Sequence, residues 1–341
     1  MRHTTTIAAA SLLAACLGQA AFAQSSVTIF GTVDLGMTHL RNAGGSVTGL
    51  THSNANISRF GFRGTEDLGG GLAASFWLEA GYSPDTGAGP GPSGTNGLSF
   101  NRRATVALSG RLGELRLGRD DSATFLNTLI FDPFLTNGVG GTNAFVMNGA
   151  PIQISNAISY LTPAGLGGFY AQLQHARDEE LNSRVGRYSG ARLGWRQGAV
   201  HVSAAIGDLQ GATTAQDVRI RNAAASYDFG VAQPMLLWAS EKRGGVELRA
   251  LQLGVKVPVG VGEVRAQFSR YDTSGSDADW RKFAVGYGHN LSKRTQLYAT
   301  YARLWNSDGS QRAIAPQGLT APTNTLGGNA TGYELGIRHF F

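Results

Sequence analysis

Apolar and polar residues alternate along most of the chain with a period of two. Near its end, Tyr333, Leu335 and Ile337 are separated by polar or small residues, and the residues around Val264 and Phe268 follow the same rule. A period of two predicts β-strands with one apolar face and one polar face. About sixteen segments of roughly ten residues show this pattern, and that length suits a tilted strand that crosses a membrane.

The predicted strands are separated alternately by short turns and by longer loops rich in Gly, Ser, Asn and Asp. Short turns at one rim and long loops at the other are typical of outer-membrane barrels. The alternation therefore predicts an all-β, 16-stranded antiparallel transmembrane barrel with both termini at the short-turn side. A soluble β-sandwich also alternates, but its strands average only about 5–6 residues. The segments are approximately 26–40, 56–66, 71–82, 98–110, 112–119, 152–162, 168–177, 188–196, 199–208, 218–228, 233–242, 247–257, 262–272, 280–290, 295–305 and 331–341.

The first residues have the features of an export signal. Arg2 precedes an apolar stretch over residues 7–17, and Ala21, Phe22 and Ala23 form a cleavage motif. We therefore expect a signal peptide over residues 1–23 and a barrel domain over 24–341. The residues before Cys16 also fit a lipoprotein processing site, which is the alternative. Cleavage after Ala23 leaves no cysteine for a disulfide, since the chain has only one.

Composition narrows the class further. Charged residues make up 15% of the chain, below the roughly 25% usual for soluble domains. After the signal segment no apolar run approaches the roughly 20 residues of a membrane helix. The sequence contains neither a His or Cys spacing for a metal nor a nucleophile elbow, and its basic residues are dispersed. Asp272, Asp277 and Asp279 could hold a cation on a surface loop, and a solvated loop is the favoured alternative. We therefore expect no cofactor, no metal and no nucleic-acid partner. A barrel hydrolase remains an alternative without a supporting Ser/His constellation, so the protein is not expected to be an enzyme.

Several motifs resemble one known family. Residues 26–36 (SVTIFGTVDLG) and 58–72 (SRFGFRGTEDLGGGL) are similar to segments of the general-diffusion porins of Gram-negative β-proteobacteria, and shorter matches occur at 101–104, 117–119, 132–134 and the terminal Phe341. The resemblance implies a sixteen-stranded homotrimer in the outer membrane. It also implies a third long loop folded into the lumen, and contact with the barrel-assembly machinery through Phe341.

Candidate pore residues come from the alternation and from the resemblance together. If Phe60 and Phe62 face lipid, Arg59 and Arg63 face the interior. Arg102 is expected to share a face with Ala104 and Val106, a small-residue face that an inserted loop could crowd. The resemblance places Arg59 and Arg102 in a constriction cluster, and it puts Gln153 where the family has a third arginine. The predicted basic constriction set is Arg59, Arg63, Arg102 and Arg119. Each arginine could instead be a wall residue paired with a carboxylate.

The longest predicted loop covers residues 120–151. Its apolar residues suggest a short helix near 122–130 that packs against the inner wall. Carboxylates on this loop facing arginines on the wall would create a transverse field. Asp132 is the first candidate to line the opening and Asp121 the second, although Asp121 could instead cap the helix.

The predicted function is a water-filled outer-membrane channel for passive diffusion of ions and small hydrophilic solutes. The chain carries a formal net charge of +6, mostly from arginine. Because arginine stays charged at accessible pH, we expect the channel to prefer anions. A substrate-specific channel for a small anionic solute is the alternative.

Overall fold

The computed structural model describes residues 26–89, 97–142, 149–178 and 183–341. The predicted signal peptide, its cleavage site and Cys16 lie outside the described residues. The strands are β1 (Ser26–Asn42), β2 (Gly45–His52), β3 (Arg59–Gly69), β4 (Leu72–Gly81), β5 (Arg103–Gly110), β6 (Gly113–Asp121), β7 (Gln153–Leu161), β8 (Phe169–Ala176), β9 (Tyr188–Gln197), β10 (Val200–Leu209), β11 (Val218–Tyr227), β12 (Gln233–Arg243), β13 (Val246–Val259), β14 (Gly262–Thr273), β15 (Trp280–Asn290), β16 (Thr295–Asn306) and β17 (Ala330–Phe340). Helix α1 spans Ala123–Ile130, and a 3₁₀ turn spans Thr214–Gln216.

These strands close into one antiparallel barrel of sixteen strands. Strand β1 pairs with β17, which closes the sheet, and it also pairs with both β2 and β3. Strands β2 and β3 are therefore two parts of the second barrel strand, interrupted at residues 53–58. Every other strand pairs with its neighbours in sequence. The predicted strand number and antiparallel topology are confirmed.

The barrel has an apolar outer face and a polar face. On the outer face, Ile29 and Leu335 are among many large apolar side chains that stay exposed. The alternate positions carry buried polar side chains such as Asp34, Gln267 and Glu334. A closed barrel needs no second sheet to cover its apolar side, because lipid covers it. The period of two in the sequence therefore corresponds to these two faces.

One predicted loop is partly wrong. The strands predicted at 26–40 and 56–66 leave residues 41–55 as the long loop between them, but residues 45–52 form β2, which returns along β1 after a tight turn at Ala43 and Gly44. At the other rim, Phe341 donates its backbone N–H to the carbonyl of Gly31 and accepts one from it, both at 3.1 Å. The last residue therefore helps to close the barrel against its first strand.

Helix α1 begins the long connection between β6 and β7. The Ser122 hydroxyl caps it by accepting a hydrogen bond from the backbone N–H of Phe125 at 3.1 Å, which satisfies one of the unpaired amides of the first turn. The predicted helix near 122–130 is confirmed. Among the described residues, no helix has the length and apolar character needed to span a bilayer.

The connection contacts the polar face at widely separated strands. Asn127 on α1 donates to Asn222 of β11 at 2.8 Å. Further along, the amide of Val139 donates to Glu334 of β17 at 2.9 Å, and Lys282 of β15 donates to the Gly141 carbonyl at 2.6 Å. Buried polar side chains of the barrel wall thus hold helix α1 and the segment around residues 139–141 of the connection.

Candidate functional site

Two arginines on the polar face share one carboxylate. The Arg102 Nε lies 2.6 Å from Glu79 Oε1, and the Arg59 Nε lies 3.7 Å from the same oxygen. In the ladder Arg59 pairs with Thr32 and with Gly81. The alternation of β3 therefore turns Arg59 to the polar face, as predicted. Two guanidinium charges against one carboxylate leave this cluster with a net positive charge.

The alternation of apolar and polar residues does not predict that the Arg102 side chain points toward this cluster. Strand β5 begins at Arg103, which pairs with Glu79, so Arg102 lies before the first paired residue. Its backbone N–H donates to the Glu79 carbonyl, and its side chain turns to the same residue. Ala104 and Val106 instead lie on the outer face, where Val106 is 55% exposed. The expectation that Arg102 shares their face is wrong.

A cavity of about 570 Å³ lies beside the two arginines. Arg59, Arg102 and Gln153 line it from the strands, and Leu129 and Thr136 line it from the connection after β6. None of the described residues that line this cavity is a carboxylate. The positive charge of the wall therefore faces an uncharged segment of the connection across the cavity. This arrangement differs from the predicted pairing of wall arginines with loop carboxylates.

Gln153 and Asp121 lie together next to the cavity. Gln153 Nε2 donates to Asp121 Oδ1 at 2.8 Å. Asp121 is the last residue of β6 and does not cap α1, since Ser122 does. At the position where the resemblance implies a third arginine, the chain therefore carries a neutral amide that is already engaged.

Asp132 has a different place from the one predicted. It is fully buried, and its carboxylate accepts hydrogen bonds from the backbone amides of Phe134, Thr136 and Thr142 at 2.7–3.0 Å. Burial raises the pKa of Asp132, and the three amides oppose that rise. Leu135 and Thr136 lie within the turn that these hydrogen bonds close, and they have positive φ angles of 53° and 61°. Such angles are uncommon for non-glycine residues and need support from their surroundings. Asp132 therefore stabilises the turn of the connection, and the prediction that it lines the opening is wrong.

Arg63 and Arg119 do not join the Arg59 cluster. The Arg63 guanidinium carbon lies 5.3 Å from the Phe30 ring centroid and 5.2 Å from that of Trp77. Arg119 donates to the Asn101 carbonyl at 2.5 Å and to the Ser155 hydroxyl at 2.6 Å. In the ladder it pairs with Ala104, on the outer face. Of the four predicted arginines, Arg59 and Arg102 therefore form a pair. Arg63 lies beside that pair on the polar face, and Arg119 lies on the outer face.

Three charged residues near the site were not predicted. Glu79 holds the arginine pair, Arg103 lies 3.6 Å from Asp120, and Arg116 contacts Asp120 at 2.5 Å. Their signal is present in the sequence, because each is a charged residue inside an alternating segment, on the same parity as other polar residues. The prediction took only Arg102 from the 101–104 motif and considered no charged strand residue outside the motifs, and it therefore missed all three.

The comparisons with known proteins agree with this architecture. The family model described as Gram-negative porin matches residues 8–309. The chain belongs to the Gram-negative porin family. It is 40% identical to outer membrane porin protein 32 of Delftia acidovorans over 348 residues, which covers 94% of this chain and 96% of that protein.

Solved structures show the same fold. The anion-selective porin from Comamonas acidovorans has a TM-score of 0.84 and 39% identity, covering 93% of this porin and all of that chain. The trimer form of OmpT from Vibrio cholerae has a TM-score of 0.64 at 13% identity, covering 93% of this porin and 99% of that chain. The second likeness shows the fold alone. Family and fold indicate a channel rather than an enzyme.

Proposed function

We propose that this porin forms a water-filled channel in the outer membrane through which ions and small hydrophilic solutes diffuse, and that it prefers anions. The observation that carries the preference is the cavity beside Arg59 and Arg102, whose described lining has no carboxylate. A barrel of sixteen strands is wide enough to leave an aqueous channel. Fixed charge at its narrowest part then decides which ions enter.

The narrowing is assigned to the connection between β6 and β7, placed in the lumen. Its support is the set of bonds to the polar face, from Asn222 of β11 to Glu334 of β17. Because the outer face meets lipid, a segment bonded to polar-face side chains on distant strands crosses the interior. Leu129 and Thr136 then form the side of the constriction opposite Arg59 and Arg102.

The charge at the proposed constriction supports a modest preference for anions. Glu79 neutralises one of the two arginines, and Gln153 contributes no charge where a third arginine would. The Arg59, Arg102 and Glu79 cluster therefore carries one net positive unit, and the Asp121 carboxylate, which interacts electrostatically with both arginines, offsets part of it. The related Comamonas protein is described as anion-selective, and this porin keeps the same sign with less charge than three arginines would supply.

Single-channel recording in planar bilayers tests the proposal. Under a KCl gradient we expect a reversal potential of the sign given by chloride preference, and we expect the Arg59→Gln, Arg102→Gln double variant to move it toward zero. Arg119→Gln is the matched control, because it removes a guanidinium that pairs on the outer face. Cation preference of the unaltered channel, or an equal shift in the control, contradicts the proposal.

Export and assembly belong to the same proposal. Residues 1–23 are proposed as a signal peptide that directs the chain to the periplasm, and Phe341 as the residue that the barrel-assembly machinery recognises. We also propose a homotrimer. An apolar groove on the outer face, lined by residues such as Met37, Tyr301 and Leu335, extends across β14 to β17 and β1 and supports a contact between subunits.

A further inference from the structure

The charged residues on the outer face of strands β11–β16 are concentrated at the long-loop end of the barrel. The alternation that exposes Leu251 and Phe268 to lipid also turns Arg, Lys, Asp and Glu side chains outward. On these six strands, each of which the structure describes in full, every such residue lies in the half next to a long loop. The set is mostly basic and consists of Arg219, Arg221, Lys242, Glu247, Arg249, Arg270, Asp272, Arg281 and Arg303.

This asymmetry separates the two leaflets of the membrane. In outer-membrane barrels the long loops are extracellular and the short turns are periplasmic. An arginine on the lipid face is costly at the bilayer midplane and is tolerated near either interface. Tolerance alone would therefore allow arginines at both ends of these strands. Their confinement to the long-loop end indicates that an anion of the outer leaflet lies against them.

Three of these arginines, Arg270, Arg281 and Arg303, form a cluster named here the Arg281 site. Arg270 and Arg281 are direct partners across β14 and β15, so their Cβ atoms lie about 4.5–5.5 Å apart. Arg303 of β16 pairs with Phe283, one outward-facing row closer to the short turns. All three arginines are exposed. Like charges directly opposite each other destabilise a sheet, so the Arg281 site favours an anion between its guanidinium groups.

An aromatic ring, rather than a carboxylate, holds two of the three arginines. The guanidinium carbons of Arg281 and Arg303 lie 5.7 and 5.2 Å from the ring centroid of Trp305. Cation–π contacts of this kind orient a guanidinium without neutralising it. Asp272 contacts Arg270 at 2.8 Å, whereas neither Arg281 nor Arg303 has a carboxylate within 4 Å in the described part of the chain. Two charges of the Arg281 site are therefore oriented and have no counter-charge from those residues.

We propose that the Arg281 site binds the phosphorylated headgroup of a lipid in the outer leaflet. A guanidinium presents paired N–H donors that match the oxygens of a phosphate. Trp305 lies at the level where aromatic side chains meet lipid headgroups, and Phe268 and Phe283 form the next outward row, where acyl chains begin. The apolar groove proposed for the subunit contact lies further toward the short turns. The lipid headgroup and the second subunit therefore occupy different depths of the bilayer.

Lipid binding to the purified porin in detergent tests the proposal. The probes are diphosphorylated lipid A and the same lipid A without its phosphates, and native mass spectrometry measures the lipid that the protein retains. We expect saturable retention of the phosphorylated probe. The double variant Arg281→Gln, Arg303→Gln should raise its half-saturating concentration at least about fivefold, because it removes charged hydrogen-bond donors. The matched control is Arg119→Gln, Arg219→Gln, which removes two outer-face arginines of β6 and β11 that already have partners in the protein.

Three results would overturn the proposal. Equal retention of the two lipids would show that the phosphates are not recognised. An equal effect of the two double variants would show that general loss of positive charge explains the change. Displacement of the lipid by inorganic phosphate at the same concentration would show that the site takes free phosphate rather than a lipid headgroup.

A second variant keeps the test decisive if Arg281→Gln, Arg303→Gln loses the β-sheet circular dichroism of the unaltered protein. Trp305→Leu keeps both charges and removes the ring that orients them. A higher half-saturating concentration in this variant supports the Arg281 site, and an unchanged one overturns it. The result does not depend on the selectivity of the channel, because the Arg281 site lies on the outer face and the assay measures no current.

Discussion

Replacing Glu79 by glutamine is expected to increase anion preference. Glu79 is the carboxylate that Arg59 and Arg102 share, at 3.7 and 2.6 Å. Glutamine keeps the length of the side chain and an oxygen that can accept the hydrogen bond from Arg102. The substitution therefore removes one negative charge from the proposed constriction while leaving both arginines near their places.

The magnitude follows from Coulomb's law. The Coulomb interaction energy between the Glu79 carboxylate and an ion that passes about 5 Å from it in water is roughly 0.8 kcal/mol. Screening at 0.1 M salt, with a Debye length of about 10 Å, lowers this to about 0.5 kcal/mol. The effect has opposite sign for anion and cation, so the difference between them changes by about 1 kcal/mol. That corresponds to an increase of about fivefold in the anion-to-cation permeability ratio.

The assay is the reversal potential of single channels in a KCl gradient at about 0.1 M mean salt, the ionic strength used for the screening estimate. Glu263→Gln is the control, since Glu263 is also paired with an arginine, Arg265, at 2.7 Å, but lies at the start of β14 next to a short turn. We expect the control to change the ratio less than about twofold, since screening weakens charges that lie beyond a Debye length. An unchanged or lower ratio in Glu79→Gln refutes the assignment of the Arg59 cluster to the constriction.

Three further outcomes follow from the structure. Asp132→Asn weakens acceptance from three backbone amides and should destabilise the connection by about 1–3 kcal/mol, seen as faster proteolysis between β6 and β7; an unchanged digestion pattern argues against its structural role. Arg119→Gln should leave the reversal potential within error of the unaltered channel, and a clear shift would return Arg119 to the pore. Anion preference should fall as KCl rises from about 0.1 to 1 M, because the Debye length shortens from about 10 to 3 Å; a constant ratio would mean that exposed charge does not set selectivity.

Strand positions could be predicted from the sequence because a barrel strand has lipid on one side and polar surroundings on the other. Strand β15 was predicted at 280–290 and lies at Trp280–Asn290, and most other strands agree within a few residues. The direction of Arg59 follows from the same rule, since its parity opposes that of Phe62. In these strands, whether a residue faces lipid or the polar side depends only on whether it occupies an odd or an even position along the strand.

The prediction failed for residues whose direction or secondary structure is not set by the alternation along a predicted strand. Arg102 lies just before the first paired residue of β5, so the pleat does not set its direction, and its ion pair with Glu79 does. Residues 45–52 are rich in Gly, Ser and Thr and resemble a loop, yet they form β2 because β1 extends far enough to pair with them.

The sequence by itself determined the sixteen-stranded class, the strand positions and the polar side that carries Arg59 and Arg63, because the bilayer imposes one rule on every strand. Only the tertiary structure decided that Asp132 is buried, that Arg119 pairs on the outer face, and that Glu79 joins two arginines. Those outcomes depend on contacts between residues far apart in the chain and on backbone outside the ladder, and a period of two contains no information about either.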